Sequence, residues 1–383
     1  MKSNVQCVPL GAKTPQRFSG MGLFGTLATC LCVSLSLAAT VQGQAIADKG
    51  GVITTFDVPG AGTGANQGTL PVSINSKRTI AGSYRDNSNV RHAFFLTKAG
   101  AFTSFDAPDA GTGAGQGTYH SLINSAGTIA GHYLDPNNVL HGFVRATNGT
   151  ITEFDVPGAG TGAGQGTLAQ GINSKGDVTG FDVDSNGAFH SYVRSYKKGA
   201  ITVFDAPTGG TGSGQGTQAV AINMSGAIAG SYRDGNNTEH CFVRAVDGTL
   251  TTYDDPDYAG SYGYAINKAG TVAGNVWNNG QGGSGMILSN GTFTIFVVPG
   301  GGTGNDQGTT AIQINTSGES AGYYIDANNI FHGFARSAGG TLSTFDAPGA
   351  TEGTFANGLN DGGYITGYFQ DSNGVYHGFL RTK

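Results

Sequence analysis

A chain of 383 residues with 67 glycines, 12% charged residues and a formal net charge of −5 is long enough to bury a sizeable core and has no basic surplus for nucleic acid or an anionic membrane. Positions 1–45 hold three basic residues and no acidic one, so residues 46–383 keep 17 basic against 25 acidic groups, a net charge of −8 that strengthens the exclusion. So much glycine with so little charge is a mark of low-complexity sequence. Here, however, the glycines sit within regular apolar and aromatic alternation, which argues for a packed fold.

Lys2, Lys13 and Arg17 precede an uncharged apolar run from Met21 to Ala39, and small residues lead on to Ala45. A basic start, an apolar middle and a small-residue exit predict a secretory signal peptide over 1–45 and a single domain over 46–383. A membrane anchor is the alternative, but Gly, Ser, Thr and Cys dilute the run. Leu27-Ala28-Thr29-Cys30 approaches a lipoprotein cleavage box, with Thr29 a poor residue before the cysteine. Cleavage removes Cys7, Cys30 and Cys32 and leaves Cys241, so the mature chain has no internal disulfide, no membrane span and only packing to stabilise it outside the cytoplasm.

From there the chain repeats. Phe-Asp-x-Pro or a variant begins at Phe56, Phe105, Phe154, Phe204, Tyr253, Phe296 and Phe345, in steps of 49, 49, 50, 49, 43 and 49 residues. Each unit reads as four short strands rich in β-branched and aromatic residues. A turn opening on a recurrent Asn follows the first strand, at Asn75, Asn124, Asn173, Asn223, Asn267, Asn315 and Asn360. An Asp-x-Asn-Gly or Asp-x-Asn-Asn hairpin follows the second, and a Gly turn the third. A long Gly-rich link such as PGAGTGANQGT at 59–69 leads on to the next unit. Three tight turns and one long link predict an all-β fold, a seven-bladed β-propeller of four-stranded antiparallel blades. The domain opens on a fourth strand near Ile53–Asp57 and ends on a third near 377–381, so the N-terminal strand is expected to join the last blade and close the ring. A β-solenoid is the alternative, but its coils are usually shorter. A recurrent glycine in the second strand, from Gly82 to Gly367, predicts close approach of another backbone or a large ring such as Phe94 or Phe105.

The third strand carries His92-Ala93-Phe94, His141-Gly142-Phe143, His332-Gly333-Phe334 and His377-Gly378-Phe379, with His190-Ser191-Tyr192 and His240-Cys241-Phe242 as looser copies. With the Gly-x-Tyr of the preceding strand, this resembles the bacterial extracellular repeats of the HAF family over essentially the whole of 46–383. The resemblance implies export, a bacterial source and a repeat architecture, and it implies no chemistry. Unit five departs from it, with Gly285-Met286-Ile287.

Each of these histidines stands six residues after an aspartate: Asp86 and His92, Asp135 and His141, Asp184 and His190, Asp234 and His240, Asp326 and His332, Asp371 and His377. Across a two-residue turn the two face one another, as metal or acid–base sites or, better, as a clamp that every hairpin needs. Asp182-x-Asp184-x-Asn186-Gly187 begins like a calcium loop but has Val193 where the bidentate Glu belongs, so a plain turn is expected. The Gly-rich links hold no Lys or Arg and are read as connectors rather than phosphate loops. The repeat breaks between Tyr253 and Asn267, where Asp254, Asp255, Asp257, Tyr258 and Tyr262, with Trp277 of the next hairpin, combine acids and aromatic faces suited to a sugar. No catalytic residue, metal or cofactor is assigned. The leading reading is a monomeric, secreted or envelope-associated module that recognises glycan or an extracellular protein, with no nucleic-acid partner. The alternatives are a polysaccharide hydrolase or lyase and a structural surface repeat.

Overall fold

The computed structural model describes residues 45–48 and 51–383. The segment expected to be a signal peptide thus lies outside the described residues, apart from Ala45 at its edge. Among the described residues every regular element is a strand. The strands pair within successive antiparallel sheets, numbered here 1 to 7 in chain order. Sheet 1 is Gly68–Ile74, Ile80–Arg85, Arg91–Leu96 and Phe102–Phe105. Sheets 2 to 6 repeat the pattern over 117–154, 166–204, 216–253, 260–296 and 308–345. Sheet 7 takes three strands from 353–381, and Gly51–Phe56 pairs with Tyr376–Arg381 in register Ile53↔Arg381. One strand was not expected: Ala45–Asp48 pairs outside Gly51–Phe56.

The first strands contact one another in chain order, sheet 1 to sheet 7, and sheet 7 contacts sheet 1. A side-chain relay runs along them. Asn75 Nδ2 donates to the Asn124 carbonyl at 3.1 Å, and the pattern continues through Asn173, Asn223, Asn267, Asn315 and Asn360, whose Nδ2 donates to the Asn75 carbonyl at 2.9 Å. The same asparagines hold their own turns, as when Asn75 Oδ1 accepts from the amides of Lys77 and Thr79 at 3.0 Å each. The turn role was expected; the relay was not.

Each first strand is irregular after its third or fourth residue, for example between Pro71 and Ser73. There the backbone bends toward the second strand. A Cβ at Gly82, Gly180, Gly230, Gly274, Gly322 or Gly367 would strike a first-strand carbonyl at this point. The crowding that demands glycine therefore comes from the bulged backbone. The aromatic rings matter one strand over. The fourth-strand phenylalanine lies over the middle residue of the His-x-Phe place, so Phe154, Phe296, Phe345 and Phe56 cover Gly142, Gly285, Gly333 and Gly378; in unit five that place is held by Ser284-Gly285-Met286, a correction of one residue to the expected alignment. Gly180→Ala is accordingly expected to cost at least about 3 kcal/mol, because a carbonyl held in a ladder yields less readily than a side chain. Urea denaturation reads this directly, and a loss under 1 kcal/mol would refute the argument.

Between sheets the core is aromatic. Phe105 meets Phe143 of the next sheet edge-on with ring centroids 6.0 Å apart, and Phe154–Tyr192, Phe204–Phe242, Phe296–Phe334 and Phe345–Phe379 repeat the contact. Such pairs add about 0.5–1.5 kcal/mol each beyond their burial. Cys241 is buried and free, so this packing stabilises the described domain without a disulfide.

Candidate functional site

Long links and Asp hairpins lie together. Gln67 Nε2 donates to the Asn87 carbonyl at 3.1 Å, and its Oε1 accepts from Gly64 N at 2.8 Å. Below them, each third-strand histidine sits between two carboxylates. His92 Nδ1 is 2.8 Å from Asp106, the Asp of Phe-Asp-x-Pro, while Asp86 is 3.6 Å from Nε2. The six-residue pairing is therefore corrected. The short hydrogen bond goes to a residue 14 or 15 positions onward, or in His377 to Asp57 at the other end of the chain at 3.0 Å. Asp155, Asp205, Asp254 and Asp346 serve His141, His190, His240 and His332 in the same way. Asp135, Asp184, Asp234, Asp326 and Asp371 stand 3.7–3.8 Å from the second nitrogen. Their principal work is in the turn: Asp86 Oδ1 accepts from the amides of Ser88 and Val90 at 2.8 Å each.

An aromatic ring stacks on five of the six imidazoles, Tyr84 on His92 at 5.0 Å being typical. At His190 the residue opposite is Asp182, which is 1% exposed, with no hydrogen-bond partner on Oδ1. Burial pushes its carboxyl up to about 7. Among the described residues no group of three or more potential ligands is arranged to hold a metal. The repeated triads carry the logic of a clamp: one proton on nitrogen bridges the third strand to the start of the link.

The hydrogen bonds to Asp106 and Asp57 raise the values of His92 and His377 above that of a free imidazole. A raised folded-state value gives stability that is complete below the unfolded value near 6.5 and disappears as pH rises through the folded one. His377→Gln is therefore expected to cost most near pH 5 and progressively less above pH 7. Chemical denaturation of both proteins across that range measures it, and a loss that grows with pH would contradict the assignment.

The acid and aromatic residues around the break in the repeat go to different environments. Asp254 binds His240, and Asp255 Oδ1 accepts from Asp257 N at 3.0 Å. Tyr258 packs on the apolar cluster of sheets 4 and 5. Trp277 lies over Gly260, its cross-strand partner, and Tyr262 meets Tyr264 at 4.5 Å. Asp254 and Tyr258 thus have their own partners, while Tyr262 and Trp277 share one face of the hairpin.

A small, partly open cavity lies instead where sheets 7, 1 and 2 converge. It measures about 40 Å³, and its polar wall is Ser83, Arg85, Arg91, His120, His132 and Asn357, with the rings of Tyr119, Tyr368 and Tyr376 beside them. The Arg91 guanidinium lies 4.3 Å from the Tyr119 ring centroid, and its buried Nε has no hydrogen-bond partner. Asn357 donates to the Pro71 carbonyl at 3.3 Å, and its buried Oδ1 also has no partner. His120 is left-handed, with φ 40°, and its ring stacks on His132 at 5.6 Å. Burial lowers His120 to about 4 and His132 to about 3, so both are neutral near pH 7. Sequence reasoning missed this site. Its signal was available in the columns of the repeat. The residue before the histidine column is Arg91, Leu140, Phe189, Glu239, Gly283, Phe331 or Tyr376, whereas the histidine after it recurs in six of seven units.

No family model matches the chain, and no curated protein matches it. Solved structures do. A streptogramin B lyase superposes with a TM-score of 0.53 at 15% identity, covering 86% of this chain and 97% of the other. The BP39L lectin of Burkholderia pseudomallei gives 0.51 at 10% identity, covering 79% and 92%. An oligogalacturonate lyase of Vibrio parahaemolyticus gives 0.51 at 8% identity, covering 91% and 98%. At these identities the likeness is one of fold: the chain is an all-β protein of repeated sheets with propeller-like neighbours.

Proposed function

We propose that the chain is an exported seven-bladed β-propeller, its ring closed by Gly51–Phe56, that recognises glycans where sheets 7, 1 and 2 meet. The observation that carries this reading is the division of labour within the repeat. Turn asparagines, strand glycines, histidine clamps and interlocking phenylalanines recur from sheet to sheet, whereas Arg91, His120, His132 and Asn357 at the cavity have no counterpart in the other sheets. A scaffold that repeats its framework and individualises one mouth is organised for binding. Tyrosine faces beside hydrogen-bonding groups suit a sugar ring. A lectin among the structural neighbours is consistent with it. Export through residues 1–45 and kinship with the HAF repeats belong to the same proposal.

A glycan array probed with the purified protein tests it, with circular dichroism to establish folding. Reproducible binding to a sugar class, weakened by Tyr119→Ala, is the expected result. A folded protein that binds no glycan overturns the reading.

A further inference from the structure

Sheets 1 and 4 contain the same second strand, Ile-Ala-Gly-Ser-Tyr-Arg, at Ile80–Arg85 and Ile228–Arg233. The two arginines are anchored alike: Arg85 Nη1 donates to the Asn66 carbonyl at 2.9 Å and Arg233 Nη1 to the Gly214 carbonyl at 3.1 Å. They differ in what faces them. Opposite Arg233 stands Glu239, whose carboxylate accepts from Arg233 Nε at 3.0 Å and Nη2 at 2.9 Å and from Ser231 Oγ at 2.6 Å. Opposite Arg85, in the same register, stands Arg91. Sheet 1 thus keeps the serine and the arginine of a carboxylate site and replaces the carboxylate with a second cation.

Two guanidinium groups face to face across a ladder repel, and a partly buried one is costly unless an anion compensates it. Among the described residues lining this cavity none is acidic. Burial, and after it Arg85, lowers Arg91 to about 10, which still leaves it charged at neutral pH. The Arg91 guanidinium has only the Ser83 hydroxyl, at 3.4 Å, and the Tyr119 ring as partners, so an anion from outside the chain supplies the missing compensation. The volume admits a carboxylate and a neighbouring hydroxyl but not a whole sugar ring. The two groups without partners supply complementary needs: Arg91 Nε donates, and Asn357 Oδ1 accepts.

We propose that Ser83, Arg85 and Arg91 bind the carboxylate of a sugar acid, with an adjacent hydroxyl donating to Asn357. This rests on the glycan-recognition reading and names the class of sugar. Glu239 shows within the same molecule how the Ser–Arg pair engages a carboxylate, and that precedent favours carboxylate over phosphate. The ring of the ligand lies outside, against Tyr119 or Tyr376.

Isothermal titration of the purified protein with D-glucuronate, D-glucose and inorganic phosphate tests the assignment, with Arg91→Glu as the principal variant. That substitution recreates the Arg233–Glu239 pairing on an identical strand, so the variant is expected to fold and to melt no lower than the parent. Glucuronate is expected to bind saturably, at least tenfold more tightly than glucose or phosphate, and Arg91→Glu to weaken it at least tenfold. Arg85→Gln should weaken it too while leaving the cavity open. Equal binding of glucuronate by parent and Arg91→Glu, or none by the parent, overturns the proposal. Phosphate binding as tightly as glucuronate overturns the sugar-acid assignment. Neutral glycans retained on the array by both proteins would sink this site and leave glycan recognition standing, whereas no glycan bound at all would sink both.

Discussion

Asp182→Tyr is expected to stabilise the protein by roughly 2–4 kcal/mol at pH 8 and by much less at pH 4. Asp182 occupies the position where Tyr84, Tyr133, Tyr232, Tyr324 and Phe369 stack on their histidines. It is buried, and burial raises its carboxyl to about 7. A folded-state value above the unfolded value near 3.9 means that the native state holds the proton more tightly. The penalty is absent below that unfolded value, grows as pH rises, and is complete above about 7. Three pH units at 1.36 kcal/mol each set an upper bound near 4 kcal/mol. Space for the ring exists: a Cβ at Gly60 or Gly300 would meet Tyr84 or Tyr324, while the equivalent Gly158 has nothing within 4 Å. Asp182→Asn separates the two contributions, since it removes the charge without adding the ring. Its gain should vanish by pH 4, whereas tyrosine should keep a smaller, pH-independent part. Equal or lower stability of both variants at pH 8 would show that Asp182 bears no such penalty.

Asn360→Ala is expected to cost about 2–4 kcal/mol. Its Oδ1 accepts from Gly362 N at 3.0 Å and Tyr364 N at 3.1 Å, and its Nδ2 donates to the Asn75 carbonyl, all in a residue only 5% exposed. Truncation leaves two amides without a partner and removes one of the two donors to the Asn75 carbonyl, which keeps the Arg78 amide; each lost partner is worth about 1–3 kcal/mol when buried. Asn360→Asp keeps the acceptor for both amides but turns a carboxylate toward the Asn75 carbonyl, so it isolates the link between the last repeat and the first. Hydrogen exchange should then quicken in Gly68–Ile74 and Gly353–Leu359 before it does in sheets 3 and 4. A loss below 1 kcal/mol for Asn360→Ala, or uniform exchange in Asn360→Asp, would mean that the relay contributes nothing to joining the ends.

The sequence by itself determined the all-β character, the four strands per repeat, the turn role of Asn75 and its equivalents, and the need for glycine in every second strand. These follow from the chemistry of a few neighbouring residues, and periodicity multiplies a weak local signal seven times. Tertiary structure decided which partners those residues take beyond their own turn. His92 faces Asp86 in sequence logic, yet its short bond goes to Asp106, because the fourth strand returns alongside the third and brings the link with it. The acids and rings near Trp277 are close along the chain, but Asp254 is drawn to His240 and Tyr258 to the apolar cluster of sheets 4 and 5, while Tyr262 and Trp277 stay on one face of their hairpin. The cavity was the least legible feature. Arg85 and Arg91 are neighbours in any hairpin, but Asn357 and Tyr376 join them only when sheet 7 meets sheet 1, across a gap of nearly the whole chain. Local sequence encodes turns and strands because their energies are local, whereas a buried charge without a counter-ion exists only once distant sheets have excluded the water around it.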